Sequence, residues 1–317
     1  MRKSLLAGLF LLVIGCNFYQ TGPNSNPDDS ETYSLHSTIK TAGVVYDLKI
    51  YGDLLYIADG QNGVQIYDIF DIDYPEFVCT LNTFDTAYSL NKKDDIVYVA
   101  DDTGGLRVIS LDNFIFPEEL SHYQTSNAFY LDRYDNEVVI ADGSGGVKLF
   151  DVSNNYSPSL LDEKSFAGEI FLCAKFISSN EIICGTNSGL HLYKIENNTL
   201  SLENSIFSEN VFDVIFVNNE IYTGSGNELI KYDIENDTLV QKDRLTFFDQ
   251  VRNLSYKDGK LYIATANSGL NVVDISNSLM SSIDNLQIGT EQNCVLSKNN
   301  RIYLGDNQGE VRIYHIN

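Results

Sequence analysis

A short strand-and-turn phrase recurs seven times along this chain of 317 residues at a nearly constant interval. Its clearest copies read Tyr56-Ile-Ala-Asp-Gly followed by Gly63-Val-Gln-Ile-Tyr-Asp-Ile, and Val139-Ile-Ala-Asp-Gly followed by Gly146-Val-Lys-Leu-Phe-Asp-Val. Aligned on one position, the series runs Asp68, Ser110, Asp151, Lys194, Asp233, Asp274, His315. The intervals, by subtraction, are 42, 41, 43, 39, 41 and 41 residues. A period of roughly 40 to 45 residues carrying four short strands is that of a β-propeller blade. The expectation is an all-β, seven-bladed β-propeller with four-stranded blades.

Residues 83–124 show what one unit contains. Ala87-Tyr-Ser-Leu-Asn alternates small or apolar with polar residues and reads as a first strand. Ile96-Val-Tyr-Val-Ala is a β-branched and aromatic run, hence a second strand. Asp101-Asp-Thr-Gly-Gly breaks it, because glycine supplies the positive φ of a tight turn. Leu106-Arg-Val-Ile-Ser-Leu is the third strand, and the more polar Glu119-Leu-Ser-His-Tyr reads as an outer fourth. No repeated segment carries a 3.6-residue apolar period, so no repeated helix is expected.

The seventh copy stops at Asn317, just after its third strand. Its missing fourth strand lies at the other end, where Leu35-His-Ser-Thr-Ile-Lys-Thr aligns with Phe77-Val-Cys-Thr-Leu-Asn-Thr. The N-terminal strand should therefore complete the last blade and close the ring.

Ahead of the propeller, residues 1–16 read as a lipoprotein signal peptide: a basic start, a short apolar stretch from Leu5, then Val13-Ile-Gly-Cys16. The stretch is too short to span a bilayer. Val13-Ile-Gly-Cys16 resembles the bacterial lipoprotein box, which implies acylation of Cys16 and a membrane anchor. Asn17 after the cysteine implies, by resemblance to enterobacterial lipoproteins, the outer membrane or cell surface. Residues 17–33 are rich in turn formers and read as a flexible tether, leaving 34–317 as the propeller.

The formal charge is −23, and loss of Arg2 and Lys3 with the signal takes it to −25. Such a chain repels nucleic acid, which needs Lys and Arg to neutralise phosphate. Besides Cys16, the cysteines are Cys79, Cys173, Cys184 and Cys294. Cys173 and Cys184 should lie diagonally on paired strands of blade four, where a disulfide is one reading and two free thiols the other. No CxxC, Walker loop, G-x-S-x-G or HExxH occurs, and no cofactor is expected. His36, His122, His191 and His315 fall on separate blades or strands and should not converge on a metal or a catalytic triad.

One constellation remains. The residue closing the second strand is Asp59, Asp101, Asp142, Thr186, Ser225, Thr265 and Asp306 in the seven copies. A position equivalent in every blade forms a ring about the axis or near it, and four carboxylates with three hydroxyls could bind a cation, an amine or a sugar. The local alternative is that these side chains cap the following turn.

The blade phrase, often followed by proline (Pro75, Pro117, Pro158), resembles the LVIVD repeat of bacterial and archaeal surface propellers. The likeness is strongest in blades one to three and holds in blade six. Blades four, five and seven depart, with Glu228 and Glu310 at the glycine position and Lys194 and His315 at the aspartate position. The resemblance implies an envelope-associated propeller and no shared catalytic residues. The leading functional expectation is a non-enzymatic cell-envelope lipoprotein whose propeller binds a protein or glycan partner. A subunit of a larger envelope complex, and a polysaccharide hydrolase or lyase using acidic channel residues, are the alternatives.

Overall fold

Seven four-stranded antiparallel sheets follow one another along the chain, each with its strands in sequence order from the innermost outward, except the last. The structure, a computed structural model, describes residues 32–317. The signal peptide, Cys16 and nearly all of the tether therefore lie outside the described residues. First strands are Asp47–Tyr51, Ala87–Lys93, Tyr130–Tyr134, Phe171–Ser178, Val211–Val217, Val251–Lys257 and Gln292–Lys298. Each contacts the first strand of the next blade, and the seventh returns to the first, so the blades form a closed ring. Among the described residues there is no helix.

The last sheet holds the closure that the sequence implied. Tyr33–Lys40 pairs antiparallel with Glu310–Ile316, as the outer strand of blade seven. Asn317 N–H donates to the Thr32 carbonyl at 3.0 Å, binding the two ends of the described chain.

Packing follows from the residue pattern. Second strands such as Leu54–Ala58 and Glu137–Ala141 are apolar on both faces and buried on both, because a blade stands between two neighbours. Fourth strands such as Glu118–Tyr123 alternate polar residues and stay largely exposed. The buried side chains sort into seven clusters, each across one blade-to-blade interface. The cluster joining blades seven and one packs Cys294, Tyr303, Val311 and Ile313 against Val45, Leu48, Leu55 and Ile57, with Ile39 of the closing strand beside them. Each large aliphatic buried there contributes roughly 1.5–3 kcal/mol.

The repeat's glycine has a steric reason. Gly63, Gly105 and Gly146 adopt φ of 73°, 74° and 86°. A Cβ at these sites would stand 2.2, 2.1 and 2.0 Å from the carbonyl oxygens of Leu81, Tyr123 and Lys164 on the fourth strand.

The ring has two loop faces. One carries the turns between second and third strands and the blade-to-blade connectors, and is here the connector face. The other carries the first-to-second and third-to-fourth turns, and is the hairpin face. Tyr33 pairs with Ile316 at the end of a third strand, so the described chain enters on the hairpin face.

Candidate functional site

The innermost strand of each blade is a sheet edge, and its axis-facing N–H groups need partners that no strand provides. In blades two, four, six and seven, side chains of the preceding blade supply them. Asp47 accepts from Leu90 N–H at 3.2 Å, Asp132 from Phe176 N–H at 3.0 Å, and Asp213 from Leu254 N–H at 2.8 Å. Asn253 and Ser255 accept likewise from Val295 and Ser297 of blade seven, at 2.9 and 2.8 Å. Lys49 and Lys175 compensate the buried charge, each 2.9 Å from its carboxylate, Asp47 and Asp213. Burial alone would lower both lysines, yet the paired aspartates hold both above the usual lysine range. Burial pushes the Asp132 carboxyl up, against its hydrogen bonds and the two lysines. This axial network is spent on holding the ring together.

Above it, towards the connector face, the first strands present a different surface. Tyr46, Tyr88, Phe129, Leu172, Phe212, Arg252 and Asn293 occupy one equivalent position in the seven blades, and all seven line a single cavity of about 290 Å³. A cavity walled by every blade lies on the axis. The backbone explains why these side chains point there. In blade two Ala87 pairs with Asp101 and Ser89 with Ala100, leaving Tyr88 as an extra residue between them. The same one-residue slip isolates Leu172, Phe212, Arg252 and Asn293. Tyr46 and Phe129 lie just before their strands, their N–H groups donating to Ala58 and Ala141 carbonyls at 2.9 Å. A bulge releases a side chain from the pleat and re-aims it.

The aromatic side chains form a bowl. Tyr46 and Tyr88 meet edge-on with centroids 4.6 Å apart, and Tyr88 and Phe129 at 5.3 Å. The Arg252 guanidinium lies 5.1 Å from the Phe212 ring centroid and donates to Glu291 at 2.9 Å. Burial pushes the Tyr46 hydroxyl up and the Tyr88 hydroxyl up to about 12, so both remain protonated at neutral pH. A second cavity of about 500 Å³ adjoins the bowl between blades one and two, sharing Tyr46 and Tyr88 and adding Asn62 and Thr86. Further out on the connector face, Phe84, Phe207 and Phe248 stand exposed by 72, 84 and 88%.

The strand-end ring noted in the sequence lies elsewhere. Asp59, Asp101, Asp142, Thr186, Thr265 and Asp306 are fully buried and Ser225 nearly so. Asp101 accepts from the N–H groups of Phe84 and Asp85 at 2.9 and 3.1 Å and from Arg107 Nε at 3.0 Å. Asp142 accepts from Ser126 and Asn127 N–H at 3.1 and 2.8 Å. Asp306 accepts from Gln308 and Glu310 N–H, both at 2.9 Å, and from Arg312 at 2.8 Å. Asp59 takes Gln65 at 2.7 Å and Gly43 N–H at 3.2 Å. Thr186, Ser225 and Thr265 use their hydroxyls within their own turns and connectors. Asp59, Asp101, Asp142 and Ser225 tie a connector to its blade, whereas Thr186, Thr265 and Asp306 cap the turn that follows. Burial raises Asp59 and Asp101, opposed by the donors around them.

His191 is sandwiched near Phe166, Phe171 and Tyr193 and bridges Glu169, at 2.8 Å, to Ser205, at 2.7 Å. The bridge fixes a connector of blade four, and the sequence did not foreshadow it because Glu169 lies outside the repeated phrase. Cys173 and Cys184 are free and buried, one register step apart on paired strands and in the clusters on opposite faces of the blade. Among the described residues no group of three or more His, Cys, Asp or Glu is placed to hold a metal ion.

Two stretches, residues 42–83 and 250–283, match the LVIVD repeat model. Together with the seven blades, they are consistent with the LVIVD propeller family. No curated protein matches the chain in sequence. Among solved structures it is similar to the computationally designed Ika8 protein, at 17% identity and TM-score 0.67 over 86% of this chain and 83% of that one. The Cps50 (Swd1) β-propeller domain of Myceliophteria thermophila matches at 12% identity and TM-score 0.74, covering 90% and 100%. A chain in the crystal structure of the Mitotic Checkpoint Complex matches at 11% and 0.75, covering 97% and 99%. Likeness at this identity reports the fold alone.

Proposed function

We propose that this chain is a non-enzymatic lipoprotein of the cell envelope, anchored through Cys16, whose propeller binds a protein or glycan partner on the connector face. The observation that carries the binding reading is the axial bowl. Seven blades each contribute one residue to it, five of them from a register slip and two from just before the strand, and a rigid ring presenting residues that differ from blade to blade suits recognition. The anchor reading rests on the sequence of residues 1–16. Two experiments test the pair. Labelling cells with an alkyne fatty acid should mark the wild type and not Cys16→Ser, and an equally labelled variant would sink the anchor. Crosslinked capture from cells should recover a defined partner with the wild-type chain and lose it with Tyr88→Ala/Phe212→Ala. Identical recovery would move recognition away from the bowl.

Membership of a larger envelope complex is the second reading. Its support is an apolar row on the hairpin face, where Phe70, Tyr74, Ile115 and Phe116 in the third-to-fourth loops of blades one and two are 75–82% exposed. Phe70→Ser/Phe116→Ser should then shrink the detergent-solubilised complex on native gels, whereas an unchanged size would remove this reading.

A further inference from the structure

We propose that the axial bowl is a carbohydrate subsite, taking one uncharged pyranose unit of a glycan whose next unit lies in the adjoining groove between blades one and two. This inference rests on the bowl being the recognition surface and names the chemistry it recognises.

The first argument is charge balance. The two formal charges lining the bowl are already matched, Asp47 by Lys49 at 2.9 Å and Arg252 by Glu291 at 2.9 Å. A bare cation finds no unpaired carboxylate there. An anionic ligand must approach a chain of formal charge −23. A neutral ligand pays neither penalty.

The second argument is the set of unspent polar groups. Arg252 Nε is buried without a partner, and an unpaired buried donor is costly unless a ligand fills it. Asn293 donates its amide N–H to the Val45 carbonyl at 3.1 Å, leaving its side-chain oxygen as an acceptor. The Tyr46 and Tyr88 hydroxyls line the same wall. Guanidinium N–H, amide oxygen and phenol hydroxyls set around aromatic rings match a ring compound bearing hydroxyls on its rim and C–H groups on its face, because the π-face is negative and attracts polarised C–H edges.

The third argument is shape. The bowl, about 290 Å³, shares Tyr46 and Tyr88 with the neighbouring cavity of about 500 Å³. The groove adds the amides of Gln61 and Asn62 and the hydroxyl of Thr86. An aromatic-walled compartment and a more polar one that share a pair of tyrosines suit a chain of linked units better than one compact molecule.

The test titrates the full-length chain with glucose, galactose, mannose, N-acetylglucosamine and their linear tetrasaccharides, using tetragalacturonate as the charged control. Calorimetry gives affinity. Tyrosine emission is unmasked by tryptophan, and because Tyr46, Tyr88 and Tyr130 of the chain's 20 tyrosines line the bowl, the part of the change that Tyr88→Ala removes reports it. At least one neutral tetrasaccharide should saturate, more tightly than its monosaccharide, with changed tyrosine emission. Tyr88→Ala and Arg252→Gln should each weaken it about ten-fold or more without shifting the melting temperature. If no neutral saccharide saturates while Tyr88→Ala still loses the envelope partner, the bowl stands and the sugar assignment falls. Unchanged saccharide affinity in both variants removes the bowl itself. Tetragalacturonate binding as tightly as a neutral chain overturns the charge argument.

Discussion

Blades one and four fill the same slot in the ring but solve the same connection differently. In blade one, Asp68 closes the third strand and its carboxylate accepts Phe70 N–H at 2.8 Å, starting a loop that Asp71 continues by accepting Asp73 N–H at 3.1 Å. Ser110, Asp151 and Asp274 make the equivalent bond in blades two, three and six. In blade four the third and fourth strands run on to a two-residue hairpin, with Glu196 paired to Thr199 and Asn197 and Asn198 at φ of 51° and 64°. Blade five repeats this with Asn236 and Asp237 at 50° and 61°. Positive φ at both central residues is the mirror-image turn that matches strand twist. The turn before the third strand is also tighter there, pairing Thr186 with Gly189 and Ser225 with Glu228. The aspartate of the repeated phrase is thus a loop device. Where the loop shortens to a hairpin its N–H acceptor is not needed, and Lys194 can stand there, paired with Asp237 at 2.7 Å. Blade seven is a third solution, since its fourth strand is borrowed from the start of the chain.

Removing that borrowed strand tests the third solution and should have the largest effect. A chain begun at Thr41 should lose its cooperative urea transition, and a peptide of residues 32–40 should restore it. A cooperative, wild-type-like transition without the strand would show that ring closure is dispensable. The hairpin solution comes next. Asn197→Ala/Asn198→Ala should cost about 2 kcal/mol by denaturant unfolding, whereas Asn198→Gly should cost nothing or stabilise. Asp274→Ala, which deletes the loop acceptor in blade six, should cost about 1 kcal/mol. Lys194→Ala in blade four should leave the urea midpoint unchanged, because the hairpin there needs no acceptor at that position.

The smallest expected effect is pH-dependent. Glu137 pairs directly across from Asp151 in blade three, whereas Glu181 faces Lys194 in blade four. Burial, then Asp151 and Asp135, raise Glu137 above the usual carboxylate range. A carboxyl with a raised folded-state pKa costs no stability below its unfolded pKa and destabilises increasingly as pH rises through the folded value. Glu137→Gln should therefore stabilise the chain at pH 7 by well under 1 kcal/mol and change nothing near pH 4, as read from melting temperatures. A gain of the same size at both pH values would mean that charge is not the cause.

The sequence carried the blade count, the strand order and the closure because each rests on local signals that repeat: apolar runs, turn glycines and a fixed period. The axial bowl was harder to see. Tyr88 sits in Ala87-Tyr-Ser-Leu-Asn, where simple alternation assigns it to one face of a regular strand, and only the register slip turns it to the axis. A signal did exist, since the column from Tyr46 to Asn293 keeps an offset of 13 or 14 residues before the strand-end ring. The strand-end acids drew attention because charged residues at strand ends look chemical. The carboxylates of Asp59, Asp101 and Asp142 are occupied by connector N–H groups whose positions depend on tertiary contacts, and that of Asp306 by N–H groups of its own turn. The same dependence hid the Glu169–His191–Ser205 bridge.

The bulged positions carry a consequence for how such a site changes over time. A residue excluded from strand pairing can be exchanged without disturbing the ladder, and the five that a register slip isolates belong to five different blades. Leu172, Arg252 and Asn293 beside Tyr46, Tyr88, Phe129 and Phe212 show how far that column already varies within one molecule. Substitutions there should couple where the side chains touch, as Tyr46, Tyr88 and Phe129 do and as Arg252 does with Phe212, and combine more freely between positions that do not meet. The ring is in this sense a holder with five inserts outside the ladder, whose exchange reshapes the cavity wall and leaves the strand pairing as it is.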